Sequence, residues 1–295
     1  VNNSIIINNE LYKNSELLVN ISSNMIRYGI GVFEAPKIVN INEKYYLFSF
    51  ELYYSRLIKS CQSLNIKFRY SYFEIVDQIK KLIQNHTLSD NSALRINVFS
   101  LECSELLEEV EGDVIISILD TNHRNDANLI EKIIRIGSFE RIKGHSIYKI
   151  KSPANYETSR VELFGDNDVD DVLYTNNNGE ICELSRSNIF FIKGNIVYTP
   201  DLNSGILEGI TRQHVIDICK KYKISVHVSS ISRDDLSGFE SSFCTGTTNG
   251  IVSIKKINDI VYNTQNRMLN FIKDLYLSEF TSTEIIKNME KFIEL

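Results

Sequence analysis

The chain reads as a mixed α/β (α+β) protein in two parts. Apolar residues alternate with a period of two in some segments and recur at helical spacing in others. The two kinds of segment are interleaved, and one polar stretch without periodicity divides them. With 295 residues, 43% hydrophobic and 24% charged, there is chain enough for two ordered units. A net charge of −6 with no lysine- and arginine-rich block leaves no footprint for a nucleic acid, so a small molecule is the expected partner. No apolar run approaches the ~20 residues that cross a bilayer, and no basic segment precedes an apolar one at the start, so no membrane role and a cytoplasmic location are expected.

Ser4 to Ile7 is a short apolar run, and Lys44 to Phe50 reads as a strand after a polar turn. Two helices follow, one with Leu57, Cys61 and Leu64 at helical spacing, the other with Phe73, Val76, Ile79 and Ile83. From Ala93 to Val98 the pattern turns Leu94, Ile96 and Val98 to one side and Ala93, Arg95 and Asn97 to the other, and Val114 to Leu119 reads as a buried strand. The polar stretch beginning at Asp120 sets the division: a smaller N-terminal α/β domain over 1–120, a linker over 121–128 and a larger C-terminal domain over 129–295. In the second part, Asn188 to Ile192 and Ile196 to Thr199 flank a Lys193-Gly194-Asn195 hairpin turn. A helix follows Gly209, marked by Val215, Ile218, Cys219 and Tyr222. Strands at Ile224 to Val228 and Glu240 to Thr245 then lead to a last pair of helices.

The five cysteines stand singly, with no pair or neighbouring histidine at metal-ligand spacing, so they read as reduced thiols and no metal is expected. Three segments of the second part carry possible chemistry. Gly205-Ile-Leu-Glu-Gly-Ile-Thr-Arg212 runs from a glycine-bracketed loop into a helix, so the N–H groups of Gly209, Ile210 and Thr211 would face an anion; taken alone it is also an ordinary helix start. Cys244-Thr-Gly-Thr-Thr-Asn-Gly250 offers a second set of donors, or simply a tight polar turn. The third pairs Lys151-Ser-Pro-Ala-Asn-Tyr156 with Glu183-Leu-Ser-Arg-Ser-Asn188. A lone lysine or glutamate is ordinarily a solvated surface residue. Together, an amine, a strand-borne carboxylate and two anion sites meet the needs of pyridoxal 5′-phosphate: a lysine to bond its aldehyde, a carboxylate for its ring nitrogen and donors for its phosphate.

With these residues in view, the chain resembles the class IV (fold-type IV) aminotransferases, which include branched-chain and D-amino-acid aminotransferases and aminodeoxychorismate lyase. Arg27-Tyr-Gly-Ile-Gly-Val-Phe-Glu34 is similar to the family's segment near the substrate pocket, and Ser55-Arg-Leu-Ile-Lys-Ser60 to its arginine-bearing helix. Lys151, Glu183 with Ser187-Asn-Ile-Phe190, Tyr198-Thr-Pro200, Ile206 to Arg212 and Gly246-Thr247 follow in the family's order. The resemblance implies two domains with the cofactor in the cleft between them, and a homodimer. It makes Lys151 the Schiff-base lysine and catalytic base, Tyr156 the partner of the cofactor's phenolic oxygen and Glu183 that of its ring nitrogen. Arg56, Gly209, Ile210, Thr211, Gly246 and Thr247 would hold the phosphate, and Tyr28, Phe33, Arg95 and Thr248 would face the substrate. Lys149, close by, is the other lysine to consider; the four-residue spacing from Lys151 to Asn155 matches branched-chain members.

The sequence departs from the family at Tyr53, where many members have histidine, at Glu208, where proline is frequent, and at Ser100-Leu-Glu-Cys103, where many have an arginine-glycine substrate loop. The expected reaction is transfer of an amino group between an amino acid, branched-chain ones being first candidates, and a 2-oxo acid. The alternatives are release of pyruvate and 4-aminobenzoate from aminodeoxychorismate, and a non-catalytic homologue that binds the cofactor.

Overall fold

Alternation along Ser92–Phe99 buries Leu94, Ile96 and Val98 and leaves Ala93, Arg95 and Asn97 half-buried on the other face, as the sequence pattern predicts. The computed structural model describes residues 4–13, 19–86, 88–89, 92–120, 131–281 and 291–295. It divides into two compact units: Val1–Arg124 with Ile150–Ala154 and Thr281–Leu295, and Asn125–Lys149 with Asn155–Phe280. The segment expected as a linker, 121–128, lies outside the described residues.

In the first unit Ser92–Phe99 is an inner strand of an antiparallel five-stranded sheet, ordered Glu10–Lys13, Ser4–Ile7, Asp113–Asp120, Ser92–Phe99, Gly31–Glu34. A second sheet joins Phe292–Glu294, Lys44–Phe48 and Lys37–Ile41. The strand expected to reach Phe50 therefore stops at Phe48, and Phe50 opens a helix. Helix α1, Asn24–Tyr28, ends on Gly29 at φ 68°, a left-handed position that suits glycine. Helix α2, Phe50–Ser63, buries Phe50, Tyr53, Arg56, Leu57, Ser60 and Cys61, a single face at helical spacing with an arginine in its middle. Helix α3, Tyr72–Ile83, starts at a Ser71/Glu74 capping box and buries Ile75, Val76, Gln78, Ile79 and Leu82. Phe73, expected on that buried face, is 75% exposed; Gln78 takes an inner place and accepts the Asn9 N–H.

The second unit is built on a nine-stranded sheet. Its path runs Ile181–Leu184, Asp171–Asn176, Glu131–Arg141, Gly250–Ile257, Ser241–Gly246, Asn188–Lys193, Ile196–Thr199, Ser225–Val228, with Ile260–Val261 paired to Gly250–Ile257. Along Asn188–Lys193, Ile189 and Phe191 enter one apolar cluster while Phe190 and Ile192 enter another. The strand is thus covered on both faces, which places the core of this unit in two layers. Helix α4, Tyr156–Leu163, touches the sheet through Ser159, whose hydroxyl lies 3.0 Å from that of Tyr174. Helices α5, Ile210–Lys221, and α6, Arg267–Ser278, cover the Phe190 side with Val215, Cys219, Leu269 and Ile272. Gly250–Ile257, where the sequence suggested only a passage to helices, is a strand, and of the expected last pair of helices α6 is the one within the described residues. No helix among the described residues is long and apolar enough to cross a membrane.

Candidate functional site

The residues singled out by sequence are divided between the two units. In the first unit, Lys151 is held through its backbone. Its carbonyl accepts the Phe33 N–H at 2.9 Å, its N–H donates to Ser60 Oγ at 3.3 Å, and the next hydroxyl, of Ser152, donates to the Gly31 carbonyl at 2.9 Å. The strand Gly31–Glu34 and the inner face of α2 thus fix where the side chain begins. Gly31 has to be glycine for this, because an added Cβ would lie 2.1 Å from the Phe99 ring. Lys151 is half-buried and Lys149 exposed. Lys151 Nζ lies 4.8 Å from the centre of the Phe33 ring, and the Arg95 guanidinium carbon 3.3 Å from the same point. Register explains this: Phe33 stands opposite Asn97, so Arg95, two residues away on the same strand face, is its diagonal neighbour. Arg95 is kept there by its Nε–H, which donates to Asn97 Oδ1.

Arg56, buried on α2, donates from Nε to Glu34 Oε1 at 2.6 Å and from Nη2 to Glu34 Oε2 at 2.9 Å, in the planar fork that suits a carboxylate. Glu34 follows Phe33 by one residue, so this pair and the Lys151 backbone hang on one short strand. Tyr53 lies beside Arg56, its ring 5.7 Å from the guanidinium. Tyr28 closes α1, with Arg27 over its ring. The other end of α1 is tied down by Asn24, fully buried, which donates to Ser100 Oγ and Ser104 Oγ and accepts the Ser104 N–H. The atypical segment after Ser92–Phe99 is therefore bound to the helix that carries Tyr28.

In the second unit the centre is Glu183, on the fully buried strand Ile181–Leu184. Its Oε1 accepts from Arg141 Nη1 at 2.7 Å and from the Leu207 N–H at 3.1 Å; its Oε2 accepts from Asn188 Nδ2 at 2.8 Å. The same Asn188 amide donates to the Leu207 carbonyl, while its Oδ1 fills the place where a Cβ on Gly209 would stand, 1.8 Å away. Only glycine fits at this N-cap of α5. The first N–H groups of that helix, on Ile210 and Thr211, have no acceptor within it. Thr211 is buried at this end. Asn188 also pairs in register with Thr245, and a Cβ on Gly246 would come 3.3 Å from Ser187 Oγ. The turn that carries Gly246, Thr247 and the exposed Thr248 therefore borders the segment after Glu183. Tyr156 is the first residue of α4.

Arg141 was not singled out by sequence. It ends the strand Glu131–Arg141, whose exposure follows neither period, and its partner is 42 residues further on, so no local signal marks it. Thiol chemistry is remote here: burial pushes Cys182, next to Glu183, up to about 12, and Cys244 up to about 11.

A family model described as amino-transferase class IV matches residues 31–257. A probable branched-chain-amino-acid aminotransferase of Rickettsia bellii is 27% identical over 281 residues, covering 92% of this chain and 93% of its own. An aminodeoxychorismate lyase of Bacillus subtilis is 25% identical over 267 residues, covering 89% and 87%. Among solved structures, the branched-chain aminotransferase of Thermoproteus uzoniensis with norvaline superposes with a TM-score of 0.89 at 22% identity over 99% of this chain and 98% of its own. The branched-chain amino acid aminotransferase of Thermobaculum terrenum, in its PLP-bound holo form, does so with 0.87 at 20% identity, covering 100% and 99%. These structures share this chain's fold.

Proposed function

Because the chain belongs to the class IV aminotransferases, we propose that it uses pyridoxal 5′-phosphate to transfer an amino group between an amino acid and a 2-oxo acid, with branched-chain amino acids the first substrates to test. The observation that carries this is the buried Glu183 carboxylate, fixed by Arg141, Leu207 and Asn188 and joined through Asn188 to the glycine cap of α5. The donor set fits the cofactor: a buried carboxylate suits a protonated ring nitrogen, and a helix start capped by glycine and followed by a buried threonine suits a phosphate.

When bound, the cofactor supplies an aldehyde that condenses with amines and a cationic ring that draws electron density from the substrate's α-carbon. Lys151 supplies the amine that holds it and, once exchanged for the substrate amine, the base that takes the proton from that carbon. Glu183 keeps the ring nitrogen protonated, and Tyr156 is assigned to the phenolic oxygen. The phosphate is assigned to Arg56, Gly209, Ile210, Thr211, Gly246 and Thr247. Two of the Arg56 N–H groups serve Glu34, so its part is a fixed positive charge. Tyr28, Phe33, Arg95 and Thr248 are assigned to the substrate, Arg95 as the cation for its carboxylate. The assembly we infer is a homodimer, supported by the exposed Val161 on α4 and Phe164 at its C-cap; a sedimentation run reporting a monomer would remove it.

Purified protein incubated with pyridoxal phosphate is expected to show a visible band that responds to amino acids and is lost as a protein-linked species in Lys151→Ala. No band in the wild type, or a band that depends on Lys149 instead, would overturn the assignment. The Bacillus subtilis relative favours one second reading, the lyase. An amino acid alone should convert the bound cofactor to its amine form if the chain is a transaminase, and do so poorly if it is a dedicated lyase.

A further inference from the structure

We propose that Arg141 is a positioning residue, which acts through Glu183 to hold the carboxylate on the cofactor's ring nitrogen and ties it to the loop that leads to the phosphate. The proposal rests on the reading of Glu183 given above. A single nitrogen of Arg141, Nη1, donates both to Glu183 Oε1 at 2.7 Å and to the Gly205 carbonyl at 2.6 Å. Gly205 opens the segment that ends at the α5 cap, and it lies at φ 94°, a conformation that favours glycine. A Cβ there would meet the Tyr148 ring at 3.4 Å and Arg141 Cβ at 3.6 Å, ordinary contact distances, so it is the backbone angle that calls for glycine. At this glycine the loop turns its carbonyl toward the guanidinium.

The guanidinium is itself immobilised. Its carbon lies 4.8 Å from the centre of the Tyr148 ring and 4.8 Å from that of Tyr174. The Tyr148 hydroxyl accepts the Ile142 N–H, and that of Tyr174 lies 3.0 Å from Ser159 Oγ. Arginine is the residue for such a place, because its flat cation stacks on aromatic faces and still presents in-plane donors; a lysine ammonium can replace the charge but not the plane. Asn188 repeats the design from the other oxygen, linking Glu183 Oε2 to the Leu207 carbonyl. Arg141 and Asn188 are thus two struts from one carboxylate to one loop, and the first of them brings a positive charge to the carboxylate.

A chemical comparison tests this without turnover. The affinities of the wild type, Glu183→Gln, Arg141→Met and Arg141→Lys are measured for pyridoxamine 5′-phosphate and for its deaza analogue, in which a ring C–H replaces the nitrogen. Neither ligand has an aldehyde for Lys151, so the ratio of the two affinities reports the ring-nitrogen contact alone. The wild type is expected to prefer the nitrogen-containing ligand by about ten- to hundredfold, the worth of one hydrogen bond between charged partners. Glu183→Gln and Arg141→Met should both reduce that preference to roughly threefold or less, and Arg141→Lys should retain part of it. A merely structural role would weaken both ligands alike and leave the ratio unchanged. An unchanged ratio in Arg141→Met, with the preference lost in Glu183→Gln, overturns the role of Arg141 alone. A wild type without preference, or a preference that survives Glu183→Gln, overturns the reading of Glu183 with it. Should Arg141→Met fail to melt cooperatively, Arg141→Lys decides: its ratio must fall, and a wild-type ratio rejects the proposal.

Discussion

Lys151 and Glu183 are held in opposite ways. The lysine is anchored through its backbone, by Phe33, Ser60 and the neighbouring Ser152, and its Nζ lies on an aromatic face. The glutamate is anchored through its carboxylate, by Arg141, Leu207 and Asn188. The difference follows from their proposed work. An amine that must exchange partners and carry protons needs a root fixed independently of its tip. A carboxylate that must remain charged needs fixed donors at the oxygens themselves.

The largest break in this comparison is removal of the tip. Lys151→Ala leaves the backbone anchors in place, so its melting temperature should stay close to wild type while amino transfer falls by at least about 10³-fold, within the range of losing a positioned acid–base group. Single-turnover assays of amino transfer, beside a melting curve, check both halves. A variant that keeps its activity would show that the tip of Lys151 does no work.

The two holding schemes were unequally legible in the sequence. The lysine, the glutamate and the glycine-capped helix start stand in short motifs, and the alternation of Leu94, Ile96 and Val98 marks a strand buried on one face. Arg141 could not be read in this way, since its pairing with Glu183 is long-range. Its strand also bulges between Ile136 and Glu140, which breaks the period that would have revealed it. The Arg56–Glu34 pair hides for a similar reason, a helix residue meeting a strand residue 22 positions away. Phe73 misled because helical spacing alone admits it to the apolar face, whereas the fold turns that face by a residue and buries Gln78.

The unit that holds Arg141 and Glu183 has another buried ion pair, which sharpens the contrast. Lys132 Nζ meets Asp171 Oδ2 at 3.0 Å with both side chains almost wholly buried, and Asp171 Oδ1 accepts the N–H groups of Val172 and Ser185. Ser185 follows Glu183 by two residues, so this pair braces the site without belonging to it. Lys132→Met strands a buried carboxylate and should cost about 3–5 kcal/mol in urea unfolding, whereas pairing it with Asp171→Leu should recover much of the loss. If the single and double variants are equally unstable, the burial argument fails.

Gly209→Ala probes the carboxylate scheme from its far side. The new methyl would collide with Asn188 Oδ1, so Asn188 must leave Glu183 or α5 must shift. The expected cost is about 1–3 kcal/mol of stability, the usual effect of overpacking. Pyridoxamine phosphate should also bind at least about tenfold more weakly, the equivalent of one lost contact. Normal binding in a destabilised protein would separate the glycine from the site.

The smallest effect concerns the bulge that delivers Arg141. Glu162, on α4, accepts from the Ser138 N–H, the Ser138 hydroxyl and the Phe139 N–H through Oε1, and from Arg135 Nη1 through Oε2. Burial alone would raise its carboxyl, but the bonds from Ser138, Arg135 and Phe139 outweigh it and hold the group below its ordinary value. A carboxylate depressed in the folded state contributes stability that is fully present above its unfolded pKa and is lost as pH falls through the folded one. Glu162→Gln should therefore cost about 1–2 kcal/mol at pH 7, where charged hydrogen bonds become neutral ones, and the gap from wild type should shrink as the pH drops below about 4.5. Urea titrations at pH 7 and pH 4 measure that gap directly. A gap that stays constant or widens in acid would mean that the bulge is held by packing, and that Arg141 owes its position to the two tyrosines and the Gly205 carbonyl.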